Sequence, residues 1–514
     1  MSLKILKLNF EKKRITLCSA FLNKEIKRDS SVIKKLISLV LCATLLFCFA
    51  QPYSADVFIL GDVTNDKIVK LDDAMLVFMH ISKKQPLEIA SETAADVNKD
   101  GKISLVDAMI LFSYIGGKRD RISENTTQEY MSVMRTINQY PQIKDNNTYD
   151  FSGLESIKLG AYFWYGFSYD GFQYTDRLFN EFSDRELVWG WVCDSIENME
   201  DQIDYASQAG LSYFAFDWYF GNPSLNHSVD TFLKASNYGK MEFCLNVCNH
   251  EGTYIEAANW EKAVDQWLPY LTHPQSLKID GKPVIMFFST YYLSAFLGSQ
   301  RKMRKYIDYL ENKLIEAGFP GVVVIGSEVP YTEAADRSIN FEEKAFSANN
   351  WGQVLNADMN SGIDSFTGYN YRKASPKILE DGTSTYELEY KEMASQHELC
   401  WERFSDYNVP YVPVILGGWD NRPWETVFPL NPTGQNRACY APDRTPEKLY
   451  EHILNAADWM KRNPDCSVGN LAVIYAWDEF CEGGYIAPTK GDNGSYLAAI
   501  RQAVDRIKKD NITD

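Results

Sequence analysis

The stretch NMEDQIDYASQAGLSYFAFDWY, residues 198–219, contains the unit from which the fold is built. Residues 198–209 have helical periodicity, and Leu211–Tyr219 is a short apolar run of strand length ending in Asp217-Trp218-Tyr219. The same alternation continues from Ile157 onward. Strand-like runs are Lys158–Tyr165, Leu211–Tyr219, Met241–Cys248, Val284–Thr290, Gly321–Gly326, Ile363–Tyr371, Tyr411–Trp419 and Leu471–Glu479. Helix-period stretches lie at 198–209, 226–237, 260–271, 300–317, 341–350, 385–407, 446–462 and 495–509. Eight such strand–helix units predict an α/β fold, a (β/α)8 TIM barrel over 155–514, with a doubly wound open sheet as the alternative. No glycine-rich phosphate loop follows the first strand, which speaks against a nucleotide fold.

In such barrels chemistry sits at the C-terminal ends of the strands. Those ends carry Tyr162, Trp164 and Tyr165; Asp217, Trp218 and Tyr219; Asn246 and Asn249; Tyr369, Asn370 and Tyr371; Trp419, Asp420 and Asn421; and Trp477, Asp478, Glu479 and Glu482. The set is aromatic, amide and carboxylate, without the convergent Arg/Lys of a phosphate site. Aromatic faces stack on the C–H patches of sugars, while carboxylates and amides fork onto paired hydroxyls. Expected substrate contacts are Tyr162, Trp164, Tyr165, Asp217, Trp218, Asn246, Tyr371, Trp419, Asp420 and Trp477. Barrel packing is the other reading of Tyr162, Tyr219 and Tyr369, whereas Trp164 and Trp419 are expected at the mouth.

The last strand runs Val473-Ile-Tyr-Ala-Trp477-Asp-Glu479-Phe-Cys-Glu482-Gly-Gly. On an extended strand, side chains three apart face opposite ways. Gly483-Gly484 predicts a turn that brings Glu479 and Glu482 to one opening. Glycoside cleavage needs one carboxyl to protonate the leaving oxygen and a second as base or nucleophile. Spacing alone leaves two surface acids on a turn as an equal reading. Glu479, nearer the strand, is expected to be the more buried and to stay ionised as the base. Glu482, past the turn, is expected to carry the proton.

Composition narrows the partners. With Lys+Arg 52 against Asp+Glu 69, the net charge is −17, so a nucleic acid is excluded as a partner for the whole surface. Hydrophobic residues at 45% and 514 residues in all make a globular chain of several domains. Six His argue against a His-rich metal centre. Residues 1–35 are basic and polar, and Leu36–Ala50 (LISLVLCATLLFCFA) is an apolar run of signal-peptide length. Ala50 and Ala55 offer cleavage points, so 1–55 is expected to be a leader and signal peptide and the mature protein secreted; a short N-terminal anchor is the alternative. Beyond it lie seven Cys with no framework spacing. Cys244, Cys248 and His250 could form a metal cluster, but their apolar strand favours buried thiols.

A duplicated motif precedes the barrel. Asp62, Thr64, Asp66 and Asp73 stand at positions 1, 3, 5 and 12 of one loop, and Asp96, Asn98, Asp100 and Asp107 repeat the pattern. Ile68 and Lys102 would add backbone carbonyls at position 7. Calcium takes six to eight hard oxygens, and this spacing supplies them. Matching helices follow, with Ala74-Met75-x-x-Phe78 and Ala108-Met109-x-x-Phe112. This pair resembles dockerin, the module that docks cellulosomal enzymes onto a cohesin domain of a scaffoldin. The resemblance places a dockerin at 56–118, binding structural Ca2+, and a linker at 119–154 with one helix near Gln128–Gln139. Lys67 stands where the first loop's turn usually takes Gly, and Gly101 fills that place in the second.

Trp477-Asp478-Glu479-Phe480-Cys481-Glu482-Gly483, with Ile486-Ala-Pro488 after it, resembles the two-glutamate segment of glycoside hydrolase family 99 and its WbsX-like relatives. Tyr162-Phe-Trp164-Tyr165-Gly166, Phe216-Asp217-Trp218-Tyr219, Leu277-Lys278-Ile-Asp280-Gly281-Lys282-Pro283 and Trp419-Asp420-Asn421-x-Pro423 extend the likeness over 157–507. Asp478 stands where the family usually has Asn, and Asn246 where the hydrolases commonly carry a carboxylate. The resemblance implies an endo-acting, retaining α-glycosidase of the endo-α-mannosidase type that needs no catalytic cofactor. The residue matching Glu479 deprotonates the sugar's own 2-hydroxyl, and the one matching Glu482 is the general acid/base. The WbsX-like branch also carries the label glycosyltransferase, which is one rival; a non-catalytic carbohydrate-binding barrel is the other.

Overall fold

The computed structural model describes residues 60–512 except 67, 85, 88–91, 93, 99–101, 119–121, 123–126, 155, 165–174, 192, 251, 329–350, 372–376, 379–383 and 427–438. The expectations at 1–55, Lys67, Asp100, Gly101, Tyr165 and helix 341–350 lie outside the described residues.

Helices α1 (Leu71–Ile81) and α2 (Leu105–Ile115) follow the duplicated loops, and α3 (Gln128–Gln139) comes next. The two loops match bond for bond. Thr64 N–H and Asn98 N–H each donate to the position-12 carboxylate, Asp73 and Asp107, whose second oxygens accept from Lys70 and Ser104 N–H. Asp73 and Asp107 are fully buried. The helices hold Leu71, Met75 and Phe78, and Leu105, Val106, Met109 and Phe112, open to solvent.

Eight parallel strands follow: β1 (Lys158–Phe163), β2 (Tyr213–Trp218), β3 (Glu242–Val247), β4 (Lys282–Phe287), β5 (Val323–Ser327), β6 (Ser365–Thr367), β7 (Val414–Leu416) and β8 (Leu471–Tyr475). Six fall inside their expected runs, while β4 begins two residues before its run and β5 ends one residue after its own. They pair in chain order from β1 to β6, and β8 pairs with both β1 and β7. Phe366 bridges Tyr411, and Val412 N–H donates to the Phe366 carbonyl at 2.8 Å, which closes the ring between β6 and β7. The seventh strand starts later than expected, at Val414, directly after Pro413, which has no ladder donor.

The strands are wrapped by α4 (Ile196–Gln208), α5 (His227–Lys234), α6 (Trp260–Leu271), α7 (Gln300–Glu316), α8 (Trp351–Asn360), α9 (Tyr390–Asp406), α10 (Pro446–Arg462) and α11 (Ser495–Ile512). Ser195, Ser299 and Thr445 start their helices by accepting the third helical N–H. The stretch 385–407 is not helical throughout. Ser384–Glu387 is a strand, favoured by Thr385 and Tyr386, and the Glu389–Glu392 capping box starts α9.

Period-two alternation divides the core. Tyr162, Tyr213, Ala215, Met286, Val414, Leu416, Val473 and Tyr475 form the lumen cluster. Phe163, Phe214, Phe216, Leu245, Phe287, Ile415 and Ile474 pack in the cluster that includes the surrounding helices.

Residues 127–157 run as a strap along the barrel. Helix α3 stacks Tyr130 on Tyr205 of α4 at 5.4 Å. Further on, Asp145 pairs with Arg506, Tyr149 donates to Asn455, Asp150 accepts from Lys461, and Phe151 N–H donates to Asp510. Tyr114 of α2 and the backbone of Ile122 both bond to Ser236, just after α5.

Candidate active site

Asp478-Glu479 pairs antiparallel with Gly484-Tyr485, so residues 480–483 are the expected turn. Gly483 has φ +70°, and a Cβ there would lie 2.6 Å from the Asp420 backbone nitrogen. Only glycine allows both the turn and this approach. Asp420 N–H donates to the Glu482 carbonyl, joining the hairpin to the end of β7.

The turn leaves Glu479 5% exposed and Glu482 half-buried. Tyr369 Oη lies 2.8 Å from Glu479 Oε1 and 2.9 Å from Asp217 Oδ2. Asn246 Nδ2 donates to Asp217 Oδ1 at 2.7 Å. Tyr475 donates to Glu482 Oε2, and its ring meets Tyr369 edge-on at 4.9 Å. Asp217, Asn246, Tyr369, Glu479 and Glu482 therefore converge at one end of the barrel.

Burial, then the Glu482, Asp217 and Asp478 carboxyls, hold Glu479 well above the usual carboxylate range. Burial pushes Asp217 up to about 7, against the pull of Asn246 and Tyr369. Glu479 is thus more buried than Glu482, as expected, but its surroundings favour the protonated form over the ionised one. Two buried polar atoms of this cluster, Glu479 Oε2 and Asn246 Oδ1, have no hydrogen-bond partner among the described residues. Such atoms suit a hydroxyl-rich ligand.

Several expected substrate contacts do other work. Asp217 points inward, so Trp218, its neighbour on the strand, points outward and packs on Trp267 at 5.8 Å. Trp477 also faces the helices: its Nε1 donates to Gln202 of α4 at 2.7 Å. Tyr371 bonds to the Glu328 carbonyl and Tyr411, away from the carboxylates. Tyr162 is buried in the lumen with its hydroxyl on the Gly368 carbonyl, which is the packing reading. Trp164 is 4% exposed and donates to Tyr219. Trp419 is 2% exposed against Tyr475, so it is covered where an open mouth was expected.

Asp420 is clamped by Arg185 and Arg422. Burial alone would raise its pKa, but Arg422 and Arg185 outweigh burial and hold it below the usual range. Arg185 also donates to the Phe480 carbonyl at 2.7 Å, inside the hairpin turn. Asp420 thus anchors the turn. Arg185 and Arg422 come from short 3-10 turns, Ser183–Arg185 and Arg422–Thr426, and neither is among the expected strand-end residues. Tyr475 was also missed, although Val473 two residues earlier marks the same inward face.

The position-12 carboxylates of the duplicated loops fit a hard cation, since both are buried and oriented by backbone N–H groups. In the first loop, Asp62 accepts from Asp66 N–H, and Lys70 pairs with Asp66. Among the described residues, no three His, Cys, Asp or Glu gather as a metal cluster. Cys244 and Cys248 are buried free thiols.

The family model described as glycosyltransferase WbsX matches residues 191–500, and that of the dockerin type I domain matches 60–116. No curated protein matches. Among solved structures, a GH99 endo-alpha-mannosidase from Bacteroides thetaiotaomicron in complex with bis-tris propane is 13% identical. It covers 69% of this chain and 98% of its own, with a TM-score of 0.45. Another structure of that name is 14% identical over 64% and 84%, at 0.42. A family 1 β-glucosidase from Thermotoga maritima is 9% identical over 71% and 99%, at 0.39.

Proposed function

The chain belongs to the glycosyltransferase WbsX family, and we propose that it works as a secreted, cellulosome-attached glycoside hydrolase cleaving an α-linked polysaccharide or glycan. The observation that carries this reading is the pair Glu479 and Glu482 on one tight turn, each tied to its own tyrosine. In this reading Glu479 takes the proton of the sugar's 2-hydroxyl, which closes on the anomeric carbon. Glu482 protonates the leaving oxygen and then deprotonates the incoming water, so configuration is retained. Asp217 and Asn246 bind hydroxyls beside them. A transferase using a sugar diphosphate needs cations for the departing phosphates. Among the described residues, Arg185, Arg422 and Arg444 at this end of the barrel are bonded to Asp420 and to the carbonyls of Phe480 and Tyr485.

The module at 56–118 binds calcium and docks on a cohesin, with Leu71, Met75 and Phe78, and Leu105, Met109 and Phe112, forming two matching apolar rows. Asp62, Thr64, Asp66, Ile68 and Asp73 hold one ion; Asp96, Asn98, Asp100, Lys102 and Asp107 hold the other. The ions fix the loops ahead of α1 and α2. Residues 1–55 direct export.

The test is incubation of the full secreted chain with α-mannan, xylan and other plant or yeast glycans, with product analysis. Released oligosaccharides that disappear in Glu482→Gln support the reading. Transfer from a nucleotide sugar without hydrolysis supports the transferase, and binding unaffected by either Glu variant with no turnover supports a binding barrel.

A further inference from the structure

A single hydroxyl bridges two buried carboxyls. Tyr369 Oη is 2.8 Å from Glu479 Oε1 and 2.9 Å from Asp217 Oδ2. A phenol has one hydrogen. With both carboxyls ionised, one of these contacts would set oxygen against oxygen with nothing between them. The two distances therefore require one proton on the trio beyond the phenol's own. Asp217 already has a second donor, Asn246 Nδ2, on its other oxygen. Among the described residues Glu479 has no donor but Tyr369, and its Oε2 has no partner. At rest the extra proton sits on Glu479 Oε1 and is donated to Tyr369, while Tyr369 donates to Asp217.

We propose that Asp217 and Tyr369 are a proton relay that ionises Glu479 for its work as a base. Asp217 Oδ2 takes the phenol's proton as the phenol takes the proton of Glu479 Oε1. One O–H bond breaks at Glu479, one forms at Asp217, and the tyrosine ends as it began. Net charge is unchanged. Glu479 is left anionic, still accepting from Tyr369 at Oε1, with Oε2 open to a sugar hydroxyl. Asp217 and Tyr369 act through Glu479 and are positioning residues in this step, which rests on the base reading of Glu479.

Among the described residues, the other groups facing the trio are the Glu482 and Asp478 carboxyls of the hairpin, Cys248 and Tyr219 from the loops after β3 and β2, Tyr475 of β8 and Tyr162 of β1. Among the described residues none of these is a cation, so none of them neutralises the pair. Burial lifts Asp217 to about 7, which suits it to hold a proton near neutrality.

The test is the pH profile of kcat/KM for the full chain on an activated glycoside. Tyr369→Phe removes the donor that Glu479 has among the described residues, and Asp217→Asn removes the proton acceptor. Both should move the acid limb upward, with kcat/KM falling several-fold more at about pH 5 than at about pH 8. If Asp217 is only a neighbouring negative charge, Asp217→Asn moves the limb downward, and the relay is wrong. A loss equal at every pH marks packing and also overturns it. A second measurement needs no substrate. The infrared difference between wild type and the Asp217→Asn/Glu479→Gln double variant at neutral pH should show one protonated carboxyl. Its absence overturns the relay, whereas its presence without hydrolysis of any glycan overturns the hydrolase reading instead.

Discussion

The loop after β7 and the hairpin after β8 touch through one backbone bond, yet they bury carboxylates in opposite ways. Asp420 has two arginines and is held below the usual range. Glu479 has one phenol, three acidic neighbours, and a pKa well above that range. The first arrangement stabilises the fold at neutral pH, and the second stores a poorly solvated acid where chemistry is proposed. Burial alone does not mark a site; the absence of a compensating cation does.

The strongest way to break this contrast is at the hairpin. Glu479→Gln should lower kcat/KM by roughly 10^3-fold or more on all glycosides. Glu482→Gln should do so for poor leaving groups and far less for activated aryl glycosides, which depart without protonation. If Glu479→Gln instead spares the activated substrates, the two roles are exchanged.

Next comes Arg185→Met, which leaves Asp420 buried with half its clamp. It should cost about 3 kcal/mol of stability, read by denaturant unfolding. An effect below about 0.5 kcal/mol would show that Arg422 suffices.

The pH dependence separates the regions further. Asp217 has a folded value of about 7, above its unfolded value near ~3.9. The folded state therefore holds more protons across that window, and stability from this group falls as pH rises through it. Asp217→Asn should melt above wild type at about pH 8, by on the order of 1 kcal/mol, with the gap closing towards pH ~4. Asp420, with a depressed value, contributes stability present above its unfolded value and lost as pH falls through the folded one.

A milder version of the contrast lies in the first of the duplicated loops, where Lys70 pairs with Asp66. Lys70→Ser should tighten calcium binding there several-fold in calorimetry of the full chain, with no change at the second loop. Smallest of all, Trp419→Phe should leave KM within about twofold, because the covered ring has little surface to offer a sugar.

The eight strands were legible because each apolar run has strand length and each is followed by a helical period. The hairpin was legible from Gly483-Gly484. Which face each strand-end residue takes was not. Trp477 reads as inward by its place beside Glu479, but Tyr475 and Ala476 both sit in the lumen cluster, so the alternation slips before it. Arg185 lies far from Asp420 in sequence, and no local pattern ties a loop arginine to a distant carboxylate. Tyr369 was visible as a strand-end residue, but its bridging of two acids depends on three strands meeting.

The strap has a mechanical consequence. Residues 127–157 lie between the docking module and β1, and they are fastened side by side to α10 and α11 through Asp145, Tyr149, Asp150 and Phe151. A pull applied at the dockerin domain therefore loads these bonds in parallel, as shear, before any force reaches the barrel's first strand. Arg506→Ala and Lys461→Ala together should lower the first rupture force in single-molecule stretching while leaving the unfolding force of the barrel unchanged.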